Sequence, residues 1–171
     1  MREAIHPLDV VVPDQIFDRT KNRPSTFFGN GLVVHVGFAD PFCPDTSAVL
    51  AEVGAGIAPR LHRGGIYVCI EGPQFSTRAE SRIYRQWGVD VIGMTAIPEA
   101  KLAREAEMCY AMLALVTDYD VWHEAEQPVS AELVIANLVA NVATAKRIVA
   151  AVVPRLGGRK LPPVPRESWS G

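Results

Sequence analysis

The sequence predicts an α/β fold in which helices cover a central sheet. Apolar, β-branched runs of strand length alternate with segments whose apolar residues recur at helical spacing, a pattern typical of α/β proteins. The 171 residues are enough for one domain with a sizeable core. The pattern contains neither an internal repeat nor a second domain. We therefore expect one domain over residues 1–155, followed by a proline-rich tail over residues 156–171.

The first part of the chain contains three predicted strands and one predicted helix. The strand candidates are rich in β-branched residues and bounded by turn residues: residues 9–17, 32–36 and 65–70. A helix is expected from Asp45 or Thr46, either of which can cap it, to about Val53. The long loop over residues 18–31 carries the aromatic pair Phe27 and Phe28, which indicates docking against another subunit.

The second part alternates helices and strands. Glu80 stands three residues after Thr77, so a capping box is expected at the start of a helix that runs through Trp87 and ends at Gly88. Ser76 is the alternative cap. The remaining predicted elements are a strand over 89–93, a helix over 98–107, a strand over 109–116 and a long helix over 130–152, stopped by Pro154.

Polar side chains follow two of these predicted strands. Met94 and Thr95 follow one, and Asp118 and Asp120 follow the other. Ligands of open α/β sheets bind outside the carboxyl ends of parallel strands, and two carboxylates can accept hydrogen bonds from an aminopurine. An acidic pair is also typical of a solvated loop or a helix cap, and a methionine at a strand end is typical of core packing. The pattern alone leaves these alternatives open.

Two further features are ambiguous in the same way. Thr95 precedes a helix opened by Pro98, so its hydroxyl and N–H can face an anion, although a threonine there is also an ordinary cap. The segment 71–75 is a structural turn or, alternatively, places the Phe75 ring against a planar base.

Composition excludes several classes of protein. A net charge of −2 and a pI near 6.1 disfavour a nucleic-acid partner. The longest uninterrupted apolar run, residues 109–116, is too short to span a bilayer, and the first ten residues lack an apolar signal region. Three cysteines without zinc-like spacing are consistent with a reducing cytoplasm. The histidines form no metal motif, and neither a P-loop nor a serine-nucleophile motif is present.

Long segments of the chain resemble one enzyme family. They are IEGPQFSTRAES, WGVDVIGMTAIPEAKLAREAEMCYA and VTDYDVWHE, with REAIHPLDVVVPDQIFDRTKNRPSTFF and ADPFCPDT before them. Over residues 1–155 the sequence is similar to the trimeric purine nucleoside phosphorylases, in the branch that acts on 5′-methylthioadenosine. The resemblance implies a mixed sheet flanked by helices and a cytoplasmic homotrimer. It also implies phosphorolysis of 5′-methylthioadenosine to adenine and 5-methylthioribose 1-phosphate, with phosphate as co-substrate and no metal or cofactor.

The resemblance also implies roles for individual residues. Asp118 matches the catalytic aspartate at the N7 edge of adenine, and Asp120 matches its companion on the 6-amino group. The other implied ligands are Phe75 against base and ribose, Met94 at the ribose hydroxyls, Thr95 at the phosphate, and Ala131, Val134 and Ile135 around the methylthio group. His35 matches a histidine that the neighbouring subunit donates to the same pocket.

Three departures from the family pattern lead to further expectations. The family extends further at its N-terminus, where it carries a glycine-rich phosphate loop, an Arg-His pair and the first strands. Gly93 stands where asparagine is common, and the C-terminal tail is short. We therefore expect a sheet without its N-terminal strands and little phosphorolysis by this chain alone. The alternatives are a phosphorylase of 6-oxopurine nucleosides and a non-catalytic remnant.

Overall fold

The computed structural model describes residues 1–123 and 131–158, without the side chains of residues 131, 133 and 134. Within this part the chain forms six strands and four helices. The strands are β1 (Val10–Val12), β2 (Gln15–Arg19), β3 (Leu61–Arg63), β4 (Ile66–Ile70), β5 (Val91–Gly93) and β6 (Ala114–Leu115). The helices are α1 (Pro44–Ala55), α2 (Arg78–Gln86), α3 (Ala96–Glu105) and α4 (Ala131–Leu156).

The strands form two small sheets, one mixed and one parallel. In the order β3-β1-β6, the central strand β1 pairs parallel with β3 and antiparallel with β6. In the order β2-β4-β5, all neighbours are parallel. Only Pro13 and Asp14 separate β1 from β2, so the chain passes directly from one sheet to the other. The expected mixed α/β architecture with flanking helices is confirmed.

The strand predictions over residues 32–36 and 109–116 need correction, and the strand over residues 61–63 was not predicted. Residues 32–38 form no regular structure, and Leu32 and Val33 are exposed, because no strand of the described residues pairs with this apolar run. Residues 61–63 form β3 although LHR has little strand pattern, because pairing with β1 determines its conformation. The expected strand over 109–116 is reduced to two residues and runs antiparallel to β1. The two polar clusters therefore do not follow parallel strands of one sheet.

The helix ends follow local chemistry more closely. The capping box of α2 is confirmed: the Glu80 N–H donates to Thr77 Oγ1 at 3.2 Å, and the Thr77 N–H donates to Glu80 Oε2 at 2.8 Å. Gly88 follows α2 with a φ of 77°, as expected of a terminating glycine. The expected cap of α1 was wrong, since Cys43 takes the N-cap position ahead of Pro44.

The long helix α4 joins the core along one face. Ile148 and Val152 are buried with Val49 of α1 and with β1. The helix continues through Pro154 to Leu156, beyond the expected end, because Leu156 packs against the same apolar cluster. Its other face exposes apolar side chains: Ile135, Leu138, Val139, Val142, Val149 and Val153. By length and composition alone, Ile135–Leu156 is the one helix of the described residues that passes a test for a membrane span.

Candidate functional site

The turn after β4 and the end of β5 are in close contact. Gly72 has a φ of 69°, and a side chain there would meet the Met94 sulfur, since a Cβ would lie 2.6 Å from Sδ. Met94 is half-buried and packs against the apolar cluster that contains Val68, Tyr84 and Val89. Position 72 therefore favours glycine for its backbone angle, and a side chain there would also require the Met94 side chain to move.

Thr95 lies exposed at the turn between β5 and α3. It precedes the helix without making a side-chain cap. Ile97 has extended dihedrals, with φ −108° and ψ 132°, so the uninterrupted helical turns start at Pro98, as the sequence predicted. The conformation of residues 94–97 is therefore not determined by helical hydrogen bonds and depends on contacts from other parts of the chain.

One of these contacts comes from Tyr67 of β4. The Thr95 N–H points to Tyr67 Oη at 3.5 Å, and the nearby Thr95 hydroxyl offsets part of the rise in the pKa of the phenol that burial causes. A Cβ on Gly93 would lie 2.1 Å from the same oxygen. The departure from asparagine at position 93 thus has a physical reason, because the Tyr67 phenol occupies the space that a side chain would need.

A second contact comes from Arg23, in the loop after β2. Its Nη1 donates to the carbonyl oxygen of Met94 at 2.7 Å and also to that of Ile97, and its Nη2 donates to the carbonyl oxygen of Glu71 at 2.6 Å. Its Nε donates to Glu71 Oε2 at 3.1 Å. Sequence reasoning missed both Arg23 and Tyr67. The glycine at the end of β5 was the available signal for Tyr67, because such glycines mark a close approach of other atoms.

The acidic pair follows β6. Asp118 is exposed and accepts a hydrogen bond from Thr117 Oγ1 at 2.5 Å. Asp120 is half-buried and accepts one from Ser81 Oγ of α2 at 2.6 Å. Ser81 itself is fully buried. The two carboxylates therefore have different surroundings: one faces solvent, and the other is held by a helix.

Helix α4 fixes the backbone that leads to Asp118. Asn141 Nδ2 donates to the Val116 carbonyl oxygen at 2.8 Å, and Asn137 Nδ2 donates to that of Thr117 at 2.8 Å. Two residues after Asp120, Trp122 packs against the same apolar cluster as Met94. That cluster connects the acidic segment with the Met94 turn.

The remaining predicted site residues are exposed or have side chains outside the described residues. Phe75 is 84% exposed, Ile135 is 60% exposed, and His35 is also exposed. The side chains of Ala131 and Val134 lie outside the described residues. No disulfide joins the three cysteines, and the described residues contain no cluster of potential metal ligands.

Comparison with known proteins identifies relatives over nearly the whole chain. The profile of the phosphorylase superfamily matches residues 1–154. The S-methyl-5′-thioadenosine phosphorylase of Gloeobacter violaceus is 59% identical over 160 residues, which are 91% of this chain and 54% of that protein. That of Thermosynechococcus vestitus is 56% identical over 96% of this chain and 57% of its own length. The chain spans about half the length of the curated relatives it matches.

Solved structures agree with these relatives. A methylthioadenosine phosphorylase sourced from an antarctic soil metagenomic library superposes with a TM-score of 0.91 at 49% identity, over 99% of this chain and 60% of that one. The methylthioadenosine phosphorylase from Schistosoma mansoni in complex with adenine superposes with a TM-score of 0.86 at 34% identity, over 93% of this chain and 63% of that one.

Proposed function

This chain belongs to the phosphorylase superfamily, and we propose that it forms the nucleoside-binding part of an enzyme that cleaves 5′-methylthioadenosine with phosphate. The products are adenine and 5-methylthioribose 1-phosphate. The observation that carries the proposal is the carboxylate pair Asp118 and Asp120, held at the end of β6 by α4 and α2. The relatives at 59% and 56% identity bear the name of this activity.

Asp118 is the proposed catalytic residue. A phosphate oxygen attacks C1′ of the ribose, and the C1′–N9 bond breaks with its electron pair going to the base. Such glycosidic cleavage passes through an oxocarbenium-like state. The departing adenine gains a proton at N7, and a carboxyl group beside N7 stabilises that protonated base. The solvent-facing position of Asp118 leaves its carboxylate available to a ligand.

Asp120 provides the proposed selectivity for adenine. A 6-amino group donates hydrogen bonds and pairs with a carboxylate, whereas a 6-oxo group accepts them and needs an amide or hydroxyl donor. The hydrogen bond from Ser81 keeps the Asp120 carboxylate at one position. This chemistry favours 6-aminopurine nucleosides over 6-oxopurine nucleosides, the alternative substrate class.

The other subsites follow from the same proposal. Met94 contacts the ribose hydroxyls, Phe75 covers base and ribose, and Thr95 binds phosphate, which is a co-substrate; no metal or cofactor takes part. The methylthio group lies among Ala131, Val134 and Ile135. The present exposure of Phe75, Ile135 and His35 is consistent with a pocket completed by a ligand and by a second subunit. We propose a cytoplasmic homotrimer in which His35 reaches the neighbouring site.

The test is phosphorolysis by the purified protein with 5′-methylthioadenosine or inosine, each with and without phosphate. Adenine release that requires phosphate, at a kcat/KM well above that for inosine, supports the proposal. A preference for inosine would assign the protein to the 6-oxopurine class. Release that is independent of phosphate would mean hydrolysis and would contradict the proposal.

Mixing His35→Ala with Asp118→Asn subunits tests the shared site, because only shared sites give activity different from the average of the two parents.

A further inference from the structure

Tyr67 places a buried phenol under the turn that carries Thr95. Its side chain belongs to the apolar cluster between the sheets and α3, and only 3% of the residue is exposed. The phenol oxygen receives the Thr95 N–H at 3.5 Å, and the nearby Thr95 hydroxyl and Ala96 backbone N–H offset part of the rise in the pKa of the phenol that burial causes. Three polar groups of one turn therefore lie near a single oxygen from another strand.

The end of β5 accommodates this phenol because residue 93 is glycine. A Cβ at Gly93 would lie 2.1 Å from Tyr67 Oη and 2.8 Å from Cζ, far inside van der Waals contact. The clashing atoms belong to a rigid ring whose residue is almost fully buried, so the ring has little room to move. Tyr67 and Gly93 thus form a matched pair, and each restricts what the other position can hold.

The chemistry of the phenol suits a role beneath an anion ligand. Burial raises the pKa of Tyr67 above its usual value, so the group remains neutral across the physiological range. A neutral phenol has one proton to donate and lone pairs that accept. When it donates to Thr95 Oγ1, the proton of the threonine hydroxyl remains available to an incoming oxyanion. A phenylalanine ring of the same shape offers no such donor.

We propose that Tyr67, admitted by Gly93, is a positioning residue that holds the Thr95 turn in the conformation that binds phosphate. The identity of the ligand rests on the proposed function, whereas the effect on the turn does not. Arg23 fixes the carbonyl side of the same turn through Met94 and Ile97. Tyr67 contacts the amide and hydroxyl of Thr95, and under the proposed function the threonine hydroxyl is the group that binds the anion.

The first experiment measures hydrogen exchange at the Thr95 and Ala96 amides in Tyr67→Phe. Faster exchange at these two amides than in the parent protein is expected, because the phenol oxygen near them is gone. The matched control is Tyr110→Phe, which removes a hydroxyl that donates to Glu99 Oε2 of α3 at 2.8 Å. Unchanged exchange at both amides in Tyr67→Phe would overturn the proposal.

The second experiment tests the matched pair. Gly93→Ala alone is expected to lower the melting temperature, because the new methyl group meets the phenol. In a Tyr67→Leu background, which removes Cζ and Oη, the same Gly93→Ala change is expected to cost much less. Equal destabilisation in the two backgrounds would show that the two positions are independent and would contradict the matched pair.

The third experiment separates this inference from the proposed function. In Tyr67→Phe, the KM for phosphate is expected to rise about 2- to 10-fold, the range of one lost neutral hydrogen bond, while the KM for 5′-methylthioadenosine changes little. Equal rises in both KM values would indicate a general structural defect and overturn the positioning role. If the parent protein neither releases adenine with phosphate nor binds adenine more tightly than hypoxanthine, the proposed function has failed. The exchange result at Thr95 and Ala96 then decides the positioning claim by itself.

Discussion

The Arg23 guanidinium donates a hydrogen bond from Nη1 to the carbonyl oxygen of Met94 at 2.7 Å, and this bond joins segments 71 residues apart in the chain. The same group donates from Nη2 to the carbonyl oxygen of Glu71 at 2.6 Å. One planar, multiply donating side chain therefore fixes the turns that follow β4 and β5. Lysine cannot reproduce this fork, because its ammonium is a single point donor group.

Replacing Arg23 by methionine is expected to destabilise the protein by roughly 1.5–3 kcal/mol, the value of a charge-assisted hydrogen bond whose partners lose their donor. Urea denaturation measures the free energy of unfolding. Arg23→Lys is expected to recover only part of the loss. Arg19→Met, at the exposed end of β2, is the control and should have a much smaller effect. Equal effects of Arg23→Met and Arg19→Met would refute the conclusion that the Arg23 guanidinium stabilises the protein by fixing these two turns.

Asp118→Asn is expected to lower the rate of adenine release by roughly 10²–10⁴-fold, the range of a lost general acid–base contribution. Because Asp118 is exposed, the free energy of unfolding should change little. Steady-state kinetics and urea denaturation on the same preparation distinguish the two quantities. Asp45→Asn, in the exposed first turn of α1, is the matched control. Turnover at the parent rate in Asp118→Asn would remove this residue from the chemistry.

Ser81→Ala is expected to reduce the preference for 5′-methylthioadenosine over inosine by about 2- to 10-fold, because Asp120 loses a hydrogen bond that orients it. The measurement is the ratio of kcat/KM values for the two nucleosides. Ser47→Ala in α1 removes a serine hydroxyl at a distance from the acidic pair and should leave the ratio unchanged. A ratio that stays the same in Ser81→Ala would show that the bond has only a structural role.

Asp9 predicts an acid-sensitive contribution to stability. Burial alone would raise the pKa of Asp9. However, Asp9 Oδ2 accepts a hydrogen bond from the His6 backbone N–H at 2.9 Å and lies 2.7 Å from His62 Nε2. These contacts, together with the charges of His62 and Arg60, hold the pKa of Asp9 below its usual value. A lowered folded-state pKa gives stability that is complete above about pH 4 and is lost as the pH falls through the folded-state value. Asp9→Asn should therefore flatten the acid limb of the unfolding free energy below about pH 4. An unchanged acid limb would contradict this assignment.

Local chemistry made part of the fold predictable. The capping box of Thr77 and Glu80 and the glycine after α2 depend on neighbours within a few residues, and both predictions were confirmed. By contrast, the end of α4 at residue 156 depends on tertiary contacts, and so does the pairing of β3 and β6 with β1. The apolar run at residues 32–36 has strand composition, but no strand of the described residues pairs with it. Composition and spacing do not specify such pairings.

The same distinction applies to the candidate site. Met94, Thr95 and the acidic pair could be selected as candidate site residues because they follow predicted strands in the sequence. Arg23 and Tyr67 were not, because they reach the Met94–Thr95 turn from 71 and 28 residues away. The sequence showed that Gly93 departs from the family's asparagine. The cause of that departure, the Tyr67 phenol, is visible only in the three-dimensional structure. The roles of all the candidate site residues stay predictions: Asp118, Asp120, Met94, Thr95, Phe75, His35, Ala131, Val134 and Ile135.

The most direct test of the central claim is calorimetric titration of the purified protein with adenine and, separately, with hypoxanthine. The two bases differ at position 6, where one donates hydrogen bonds and the other accepts them. The Asp120 carboxylate predicts that adenine binds at least about 10-fold more tightly, the effect of roughly 1.4 kcal/mol, and that Asp120→Asn reduces this preference. Equal affinity for the two bases, or tighter binding of hypoxanthine, would contradict the account.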